Sequence, residues 1–438
     1  MTQSISISTA VGAATLLTVA MNSVHAAGSD TLKVAMIGCG GRGTKAVRQC
    51  LNADPGTQLI AIADLFPDKI AKCHDGLMND PACKDRVNVK DDHLFSGFDC
   101  HEKIAQTDAD LMVIATPPAF RPRQMMAAVN APKPKHLFVE KPVAVDVAGC
   151  RQVMEVGNIA AQKGLAIVAG TQRRHEFSRL AILERIHNGA IVELVGGQCY
   201  WFGGGIWYRP ECEGLTELEW QCHNWYHFTW ISGDQIVEQS IHNIDMLNWC
   251  FNGPPKKFMA IGGRQCRDYS DDAKEVCKHF NNGSEQGWEK YNGNIWDHVI
   301  GEMEYANGAR CVAFTGHGPG TPRSNEKIVG TKGWSDCSSR IEGATPWKYE
   351  GEHVDGQQQE HIDMIKSIRA GKVLNHAQRI AETTLTAVGL RTAAYTGKSF
   401  SWDWLSKGSK QDIVLPQAAL KPGPGHFEPI STGCDPLV

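Results

Sequence analysis

The sequence lacks the features that would assign it to several specialised classes of protein. Its 438 residues include 44 Lys and Arg against 48 Asp and Glu, a net charge of −4 with no basic block. This balance does not favour nucleic acid or an anionic membrane surface as a partner. After the first 27 residues no apolar run reaches the ~18 residues of a membrane-spanning helix. We therefore expect no membrane span.

The cysteines lack the spacing of a metal or disulfide framework. There are 15, an odd number, and none stands in a C-x-x-C pair. That pattern argues against a zinc ribbon and a compact disulfide scaffold. Most are expected to be small buried side chains. His223 and His227 have the i, i+4 spacing of a helical metal pair, but no third ligand is evident, so no metal site is predicted.

The first 27 residues contain neither Lys nor Arg, and the first basic residue is Lys33. Their apolar stretch, residues 11–21, is too short for a bilayer. Small residues of the kind that precede a signal-peptidase cut follow it, although the basic start of a signal peptide is missing. We expect a signal or leader segment over 1–27 and export to the periplasm. The alternative is a cytoplasmic protein whose leader is not a signal.

What the sequence does contain is a strand, a glycine-rich loop and a helix in immediate succession. The stretch VAMIGCGGRG, residues 34–43, ends an apolar run and carries the G-x-G-x-x-G pattern. A helical pattern follows, and then a second apolar strand that ends on Asp64. Asp64 lies 21 positions after Gly43, close to the spacing of the acid that binds the adenosine ribose. This order predicts a dinucleotide-binding βαβ unit.

Each glycine of the loop has its own physical reason. Gly38 permits the tight turn, Gly40 lets the backbone approach a pyrophosphate, and Gly43 lets helix and strand pack closely. The start of the helix, with Gly41 and Arg42, offers N–H groups and partial positive charge to the phosphates.

The predicted cofactor is NAD. Asp64 would repel the 2′-phosphate of NADP, because both groups carry negative charge. Arg42 would attract a phosphate, so NADP stays open as an alternative.

Strand and helix patterns continue to alternate up to residue 172. Such units build an open, parallel Rossmann sheet that binds ligands at the carboxyl ends of its strands. Thr116 and Pro117 lie at one such end, in TPP, and Glu140 and Lys141 lie at another, in EKP.

Two domains follow from this pattern. We predict an α/β Rossmann domain over residues 31–172. From 173 onward, alternating apolar and polar stretches predict an α+β domain with a large, mostly antiparallel open sheet. This substrate-binding and oligomerisation domain would cover 173–438 and end in an extended tail.

The stretch SGDQIVEQSIHNIDMLNW, residues 232–249, predicts one continuous capped helix. Ser232 and Gln235 form a capping-box pattern, and Asp234 is a rival cap.

Glu238 stands one turn before His242 in this helix, and Asp245 follows on the same stripe. A carboxylate one turn before a histidine can fix the imidazole tautomer and raise its basicity. Alone, the pattern more often marks a satisfied, half-buried histidine. The dinucleotide loop and Lys141 favour a catalytic interpretation here.

These motifs resemble the Gfo/Idh/MocA family of oxidoreductases, named for glucose–fructose oxidoreductase and inositol dehydrogenase, and especially its exported bacterial members. The resemblance rests on MIGCGGRG, Asp64, ATPP, VEKPVAVD, GTQRR and SGDQIVEQSIHNIDMLNW, in this order, and extends to residue 372. It implies an NAD(P)-dependent sugar or polyol dehydrogenase that forms a homodimer or homotetramer. Arg121 and Glu238 depart from the pattern, since many members have His and most have Asp at these positions.

The resemblance also implies roles for particular side chains. His242 would be the base that takes the hydroxyl proton of the substrate, and Lys141 would stabilise the developing alkoxide. Glu238 would orient or proton-link the two, and Asp245 would bind a substrate hydroxyl.

Three further residues are predicted to contact the substrate. Arg173 lies at the crossing into the second domain, where it or its neighbour would reach the substrate. Trp207 and Tyr208 would stack on a sugar ring, with packing on the sheet or a subunit contact as the alternative.

Two other functions stay open. Some relatives keep NAD bound and cleave glycosides through transient oxidation of the sugar. Export would favour this, because free NAD is scarce outside the cytoplasm. A non-catalytic sugar or NAD sensor is the third alternative, and the presence of Lys141 and His242 argues against it.

Overall fold

The computed structural model describes residues 31–420. The predicted leader over 1–27 and the end of the predicted tail, 421–438, lie outside the described residues.

Strands and helices alternate through the first part of the described chain. In order they are β1 (Leu32–Ile37), α1 (Gly41–Ala53), β2 (Thr57–Asp64), α2 (Pro67–Met78), β3 (Leu94–Ser96), α3 (Cys100–Ala105), β4 (Leu111–Ile114), α4 (Arg121–Val129), β5 (His136–Val139), α5 (Val147–Lys163) and β6 (Ile167–Ala169). The six strands form one parallel sheet in the order β3-β2-β1-β4-β5-β6. The order reverses between β1 and β4, which puts the ligand-binding crevice beside the glycine loop.

The central strands of this sheet are apolar on both faces because helices cover both. Every residue from Val34 to Ile37 in β1 is fully buried, and so is every residue from Leu111 to Ile114 in β4. Continuous apolar runs of this kind are what a parallel sheet between helical layers requires.

A second set of elements builds a larger sheet. They are α6 (Phe177–His187), β7 (Leu194–Gly203), α7 (Glu217–His223), α8 (Thr229–Ser232), α9 (Gln235–Glu238), α10 (Ile241–Cys250), β8 (Lys257–Gly263), α11 (Ser270–Phe280), β9 (His298–Glu304), β10 (Arg310–His317), β11 (Arg323–Gly330), β12 (Gly333–Ser335), β13 (Arg340–Gly343), β14 (Trp347–Lys348), α12 (Gly356–Arg369), α13 (Ala377–Thr396) and β15 (Phe400–Ser401). The nine strands run in the order β14-β13-β12-β11-β7-β10-β9-β8-β15, and only the β7–β10 pair is parallel. The predicted fold class is confirmed.

One face of the larger sheet is covered and the other is open. Along β8, Phe258 and Ala260 are buried while Met259 and Ile261 are exposed. The buried set packs with helix α13, for example through Leu390. The period-2 alternation therefore separates a core face from an outward face that is also apolar.

The chain returns to the first sheet near its end. Met364 and Ile368 of α12 lie in the same apolar cluster as Val34, and Ile380 of α13 packs in the cluster that contains Ile37. The described residues belong to one compact unit. The division at residues 172 and 173 stays a prediction, because these contacts run across it.

Within residues 31–420, no helix has both the length and the hydropathy of a membrane span.

A buried histidine marks the contact between α12 and the first sheet. The ring of His361 lies 4.0 Å, centroid to centroid, from that of Phe138 on β5. Neither ring nitrogen has a hydrogen-bond partner. Burial lowers the pKa of His361 well below its ordinary 6.5, and the positive charge of Arg42 adds to this effect.

This contact makes stability depend on pH. Below pH 6.5 the unfolded chain protonates His361 and the folded chain does not, so the free energy of unfolding falls as the pH falls. At about pH 5.5 this one residue should lower the free energy of unfolding by about 1 kcal/mol. We expect His361→Leu to match the wild type in denaturant unfolding at about pH 7.5 and to be more stable than it at pH 5.5. The exposed His353→Leu is the control, and an equal loss of stability in wild type and His361→Leu would contradict the prediction.

Candidate active site

The glycine loop joins β1 to α1 and is shaped by two close approaches. Gly38 has φ +99°, and a Cβ there would lie 2.6 Å from the amide nitrogen of Thr116. A Cβ at Gly43 would overlap the carbonyl oxygen of Gly38. By contrast, a Cβ at Gly40 or Gly41 would meet nothing within 4 Å. The backbone here is therefore open at the N-terminus of α1, which fits a pyrophosphate.

Asp64 ends β2 beside this loop. Its carboxylate accepts hydrogen bonds from the backbone N–H groups of Cys39, at 2.6 Å, and Phe66, at 3.0 Å. Burial raises the pKa of Asp64, and the two N–H groups partly offset this. The carboxylate lines the same cleft as the glycines. Its contact with a ribose stays a prediction.

The cleft runs from the glycine loop to the ends of β4 and β5. Its volume is about 1160 Å³, which is large for a ligand site and sufficient for a dinucleotide together with a small substrate. Thr116, Pro117, Glu140 and Lys141 line it. The predicted cofactor residues therefore all face one cleft.

Arg121 holds two of these strand ends together. Its Nε donates to the carbonyl oxygen of Thr116 at 2.8 Å, and its Nη1 donates to the carbonyl oxygens of Glu140, at 3.1 Å, and Pro142. Burial lowers the pKa of Arg121 to about 10. Arg121 thus stabilises the turn that carries Lys141, whose peptide bond to Pro142 is cis.

Lys141 reaches from β5 into the second half of the molecule. Its Nζ donates to the backbone oxygen of Glu238 at 2.6 Å and to the carboxylate Oε1 of Glu238 at 3.0 Å. Burial raises the pKa of Glu238, while the charge of Lys141 lowers it. Since the ammonium has three donors, one remains for a further acceptor.

The helix predicted over residues 232–249 is broken, so that prediction is wrong. Asp234 has φ +75° and caps α9 through the N–H of Gln235, whereas Ser232 bonds back to Phe228. The chain then turns at residues 239–240 before α10 begins at Ile241.

A chain of hydroxyl groups holds the break. The Ser240 hydroxyl bonds the Thr315 hydroxyl of β10, which in turn bonds the side chain of Gln235. The break depends on this contact between distant segments, so helical periodicity does not reveal it.

His242 lies on the first turn of α10 and lines the cleft with Lys141. Its Nδ1 is buried without a hydrogen-bond partner. Burial lowers the pKa of His242 well below 6.5, and the charges of Lys141 and Arg173 lower it further. Glu238 binds Lys141 through Oε1, and its Oε2 is buried without a hydrogen-bond partner. The contact with Lys141 fits the predicted orienting role, and a link from Glu238 to the imidazole stays a prediction.

Asp245 and Arg173 do not lie at the cleft. Asp245 is buried on α10 and bonds Arg174, Arg379 and Thr383. Burial opposes ionisation, but the two guanidinium groups hold the pKa of Asp245 well below its usual range.

Arg173 pairs with Glu326 of β11 and donates to the hydroxyl of Ser324 at 3.1 Å. The predicted substrate contacts of Asp245 and Arg173 are therefore not supported, since protein groups already satisfy both side chains.

Of the two aromatic side chains predicted to contact a sugar, one lies at the cleft and the other does not. Trp207 lines the cleft, where its ring lies 6.4 Å, centroid to centroid, from that of Trp225. Tyr208 points elsewhere: it stacks on Tyr269 at 4.9 Å and donates to the carbonyl oxygen of Tyr291.

Several cleft residues were not predicted from the sequence. They lie around the start of α2, at the end of α7 and on the segments between β7 and α10, and they are Phe66, Lys69, Arg209, His223, Trp225 and Gln239. Two of them had a signal in the sequence: His223 belongs to the i, i+4 histidine pair, and Gln239 stands three residues before His242.

His223 and His227 do not form a metal pair. His223 ends α7, whereas His227 lies beyond it and shares its ring nitrogens with the backbone oxygen of Trp207 and the guanidinium of Arg267. Across residues 31–420 there is no cluster of three or more His, Cys, Asp or Glu side chains able to hold a metal ion.

Comparison with known families supports the fold and the loop. Residues 32–171 match the model of an oxidoreductase family with an NAD-binding Rossmann fold, named GFO/IDH/MocA. Residues 181–335 match the GFO/IDH/MocA C-terminal domain.

Two curated relatives are similar over part of their length. A glycosyl hydrolase family 109 protein from Shewanella woodyi is 24% identical over 194 residues, which are 44% of this chain and 39% of the relative. An inositol 2-dehydrogenase from Salmonella paratyphi B is 25% identical over 237 residues, which are 54% of this chain and 59% of the relative. The match thus spans less than two thirds of either relative.

Solved structures share the fold over most of the chain at low identity. A scyllo-inositol dehydrogenase from Lactobacillus casei, with bound NAD(H) and scyllo-inositol, superposes with a TM-score of 0.59 and 17% identity. An aldose–aldose oxidoreductase from Caulobacter crescentus superposes with a TM-score of 0.61 and 16% identity. Each comparison covers 85% of this chain and 99% of the other.

The loop geometry predicts opposite effects for two glycine substitutions. Gly40→Ala should leave the unfolding midpoint unchanged, because its Cβ has open space and its φ of −70° suits alanine. It should weaken NADH binding by about tenfold or more, since the methyl group occupies the pyrophosphate surface. Gly43→Ala should instead destabilise the fold by about 2 kcal/mol or more through overlap with Gly38. Fluorescence titration and thermal unfolding measure the two effects, and unweakened NADH binding by Gly40→Ala would place the phosphates elsewhere.

Proposed function

Because the chain belongs to the GFO/IDH/MocA oxidoreductase family, we propose that it is an NAD-dependent dehydrogenase of a sugar or polyol. The proposal is carried by one observation. A single cleft joins the open glycine loop to Lys141 and His242, so a dinucleotide at the loop and a substrate at these side chains would share it.

The residues fit the removal of hydrogen from a secondary alcohol. The NAD that the family binds accepts a hydride when it is bound. His242 supplies the base: its pKa lies below 6.5, so the imidazole is neutral near pH 7 and ready to take the hydroxyl proton.

Lys141 supplies the positive charge. Two of its ammonium protons are held by Glu238, and the third is free to donate to the substrate oxygen as negative charge develops there. Glu238 is therefore a positioning residue for Lys141, and the replacement of the family's usual Asp by the longer Glu is compatible with that contact.

The lining offers groups that suit a sugar ring. Trp207 and Trp225 offer aromatic surface for a sugar ring, and Gln239 offers an amide. Arg121 donates to backbone carbonyls and Arg173 pairs with Glu326, whereas Lys69 and Arg209 also line the cleft as cations. The names of the relatives, inositol 2-dehydrogenase and scyllo-inositol dehydrogenase, support polyols as first substrates to test.

A second candidate is a glycosidase that keeps NAD bound and oxidises the sugar transiently. The similarity to a glycosyl hydrolase family 109 protein favours it. The same Lys141 and His242 would serve, because both activities begin with oxidation of a hydroxyl group.

We further propose assembly into a homodimer or homotetramer through the outward face of the large sheet. Ile261 is 70% exposed, and Met259 and Ile300 beside it are also exposed. On the same face Phe314 stacks on Tyr200 at 4.9 Å. Burial of such a patch favours association, and light scattering of the purified protein measures the resulting mass.

Export to the periplasm is proposed from the sequence of residues 1–27 alone. Cell fractionation followed by N-terminal sequencing tests it, since export predicts a mature protein that has lost this segment.

The activity separates the candidates. Purified protein given NAD and a panel of polyols and aldoses should release NADH, and Lys141→Ala should lower kcat by about 100-fold or more while still binding NADH. A sensor would show no turnover in either form. If glycosides lose their aglycone while added NAD is not reduced, the glycosidase is the correct assignment.

The pKa of His242 predicts the pH profile. The base must be neutral for alcohol oxidation, and a pKa below 6.5 keeps it neutral as the pH falls to that value. We expect kcat/KM to stay level from about pH 8 to about pH 6.5 and to decline only below it. His242→Gln should lower kcat by about 100-fold or more. An acidic limb centred above pH 6.5 in the wild type would contradict a neutral His242.

A further inference from the structure

Arg42 belongs to the glycine loop, yet its guanidinium is bonded to protein groups. Its Nε lies 2.6 Å from a carboxylate oxygen of Glu140, and its Nη2 lies 3.1 Å from one of Glu360. Its Nη1 donates to the side-chain oxygen of Gln49 at 2.8 Å. Each nitrogen of the fork thus makes one hydrogen bond within the protein, and two of its five N–H groups remain.

The two carboxylates that hold Arg42 are buried. Glu140 is 4% exposed and Glu360 is fully buried. The second carboxylate oxygen of Glu360 has no hydrogen-bond partner. Burial and the charge of Glu140 raise the pKa of Glu360 well above its ordinary value. Loss of Arg42 would therefore leave the buried charge of Glu140 uncompensated, which is strongly unfavourable. Arg42 therefore has a large electrostatic reason to stay where it is.

Glu140 connects Arg42 to the residue that follows it in the chain. While one carboxylate oxygen of Glu140 binds Arg42, the other accepts the backbone N–H of Lys141 at 3.2 Å. A Cβ at Gly170, at the end of β6, would lie 2.8 Å from this carboxylate. The carboxylate is therefore confined between the ends of β5 and β6.

We propose that Arg42 is a positioning residue that fixes Lys141 relative to the dinucleotide loop. The importance of Lys141 rests on the proposed function. The linkage runs from the loop through Arg42 and Glu140 to the backbone of Lys141, with Glu360 of α12 as a second anchor.

The same linkage selects NAD over NADP. A 2′-phosphate that drew Arg42 away would leave the Glu140 carboxylate buried without its cation. Gly40 and Gly41 have no side chain, and Lys69 of α2 is a further cation in the cleft, where its charge acts on Asp64. We expect NAD as the cofactor, because a 2′-phosphate would meet the negative charge of Asp64 while Arg42 is held by Glu140.

The test compares Arg42→Gln and Arg42→Lys with a matched control. Arg369→Gln also removes an arginine–carboxylate pair between α12 and the end of α1, because Arg369 binds Asp54 at 2.6 and 2.8 Å. Each variant is measured for kcat, for binding of NADH and NADPH by fluorescence titration, and for its thermal midpoint.

We expect Arg42→Gln to lower kcat by about 100-fold, since small misplacements of a catalytic group have effects of this size. NADH binding should change by less than about threefold. Arg42→Lys should regain part of kcat, because an ammonium can still bind Glu140 but cannot also reach Glu360 and Gln49 as a fork. The control should keep the wild-type kcat, and wild-type protein should bind NADPH at least about tenfold more weakly than NADH.

A second measurement does not require turnover. Reductive methylation of Lys141, followed by peptide mass spectrometry, should change in rate by several-fold in Arg42→Gln and not in Arg369→Gln. The methylation rate separates this proposal from the proposed function. If the wild-type protein shows no dehydrogenase activity, the proposed function is overturned, but the methylation rate of Lys141 still tests the role of Arg42.

Three results would overturn the proposal. One is a loss of NADH affinity of about tenfold or more with unchanged kcat, which would make Arg42 a phosphate ligand. Another is a lower thermal midpoint with unchanged kcat and unchanged methylation of Lys141, which would make its role only structural. The third is equal binding of NADH and NADPH by the wild type.

Discussion

The ion pair between Lys141 and Glu238 is the contact on which the candidate site depends. Lys141 lies just after strand β5 of the parallel sheet, and Glu238 ends a short helix of the second half. Both groups are largely removed from water, so their attraction is screened little and each would be costly to leave alone. The pair therefore brings the two halves of the chain together at the point where a cofactor and a substrate would meet.

The residues around this pair place positive charge beside a neutral histidine. Arg121 and Arg42 brace the strand end that carries Lys141 by binding backbone carbonyls and Glu140. His242 stands beside these cations in its neutral form, because burial and positive charge both disfavour its protonation. A fixed cation next to a neutral base is the arrangement that hydroxyl oxidation requires.

Predictions from the sequence succeeded where local pattern decides the outcome and failed where distant contacts do. The glycine loop and the strand ends carry their signal within a few residues, because backbone geometry and apolar runs are local properties. The helix over residues 232–249 was predicted as continuous, but its break is held by Thr315 on a distant strand. Asp245 shares a helix with His242, yet its partners Arg174 and Thr383 come from elsewhere and close it off from the cleft.

The sequence by itself determined the parallel sheet, the dinucleotide loop and the identity of the chemical groups, since apolar periodicity and glycine spacing follow from covalent geometry. Only the tertiary structure decided which charged groups are free. It engaged Arg42 with Glu140 and Glu360, paired Glu238 with Lys141, and turned Tyr208 away from the cleft. The physical reason is that a buried charge must find its partner in space, and partners close in space are seldom close in sequence.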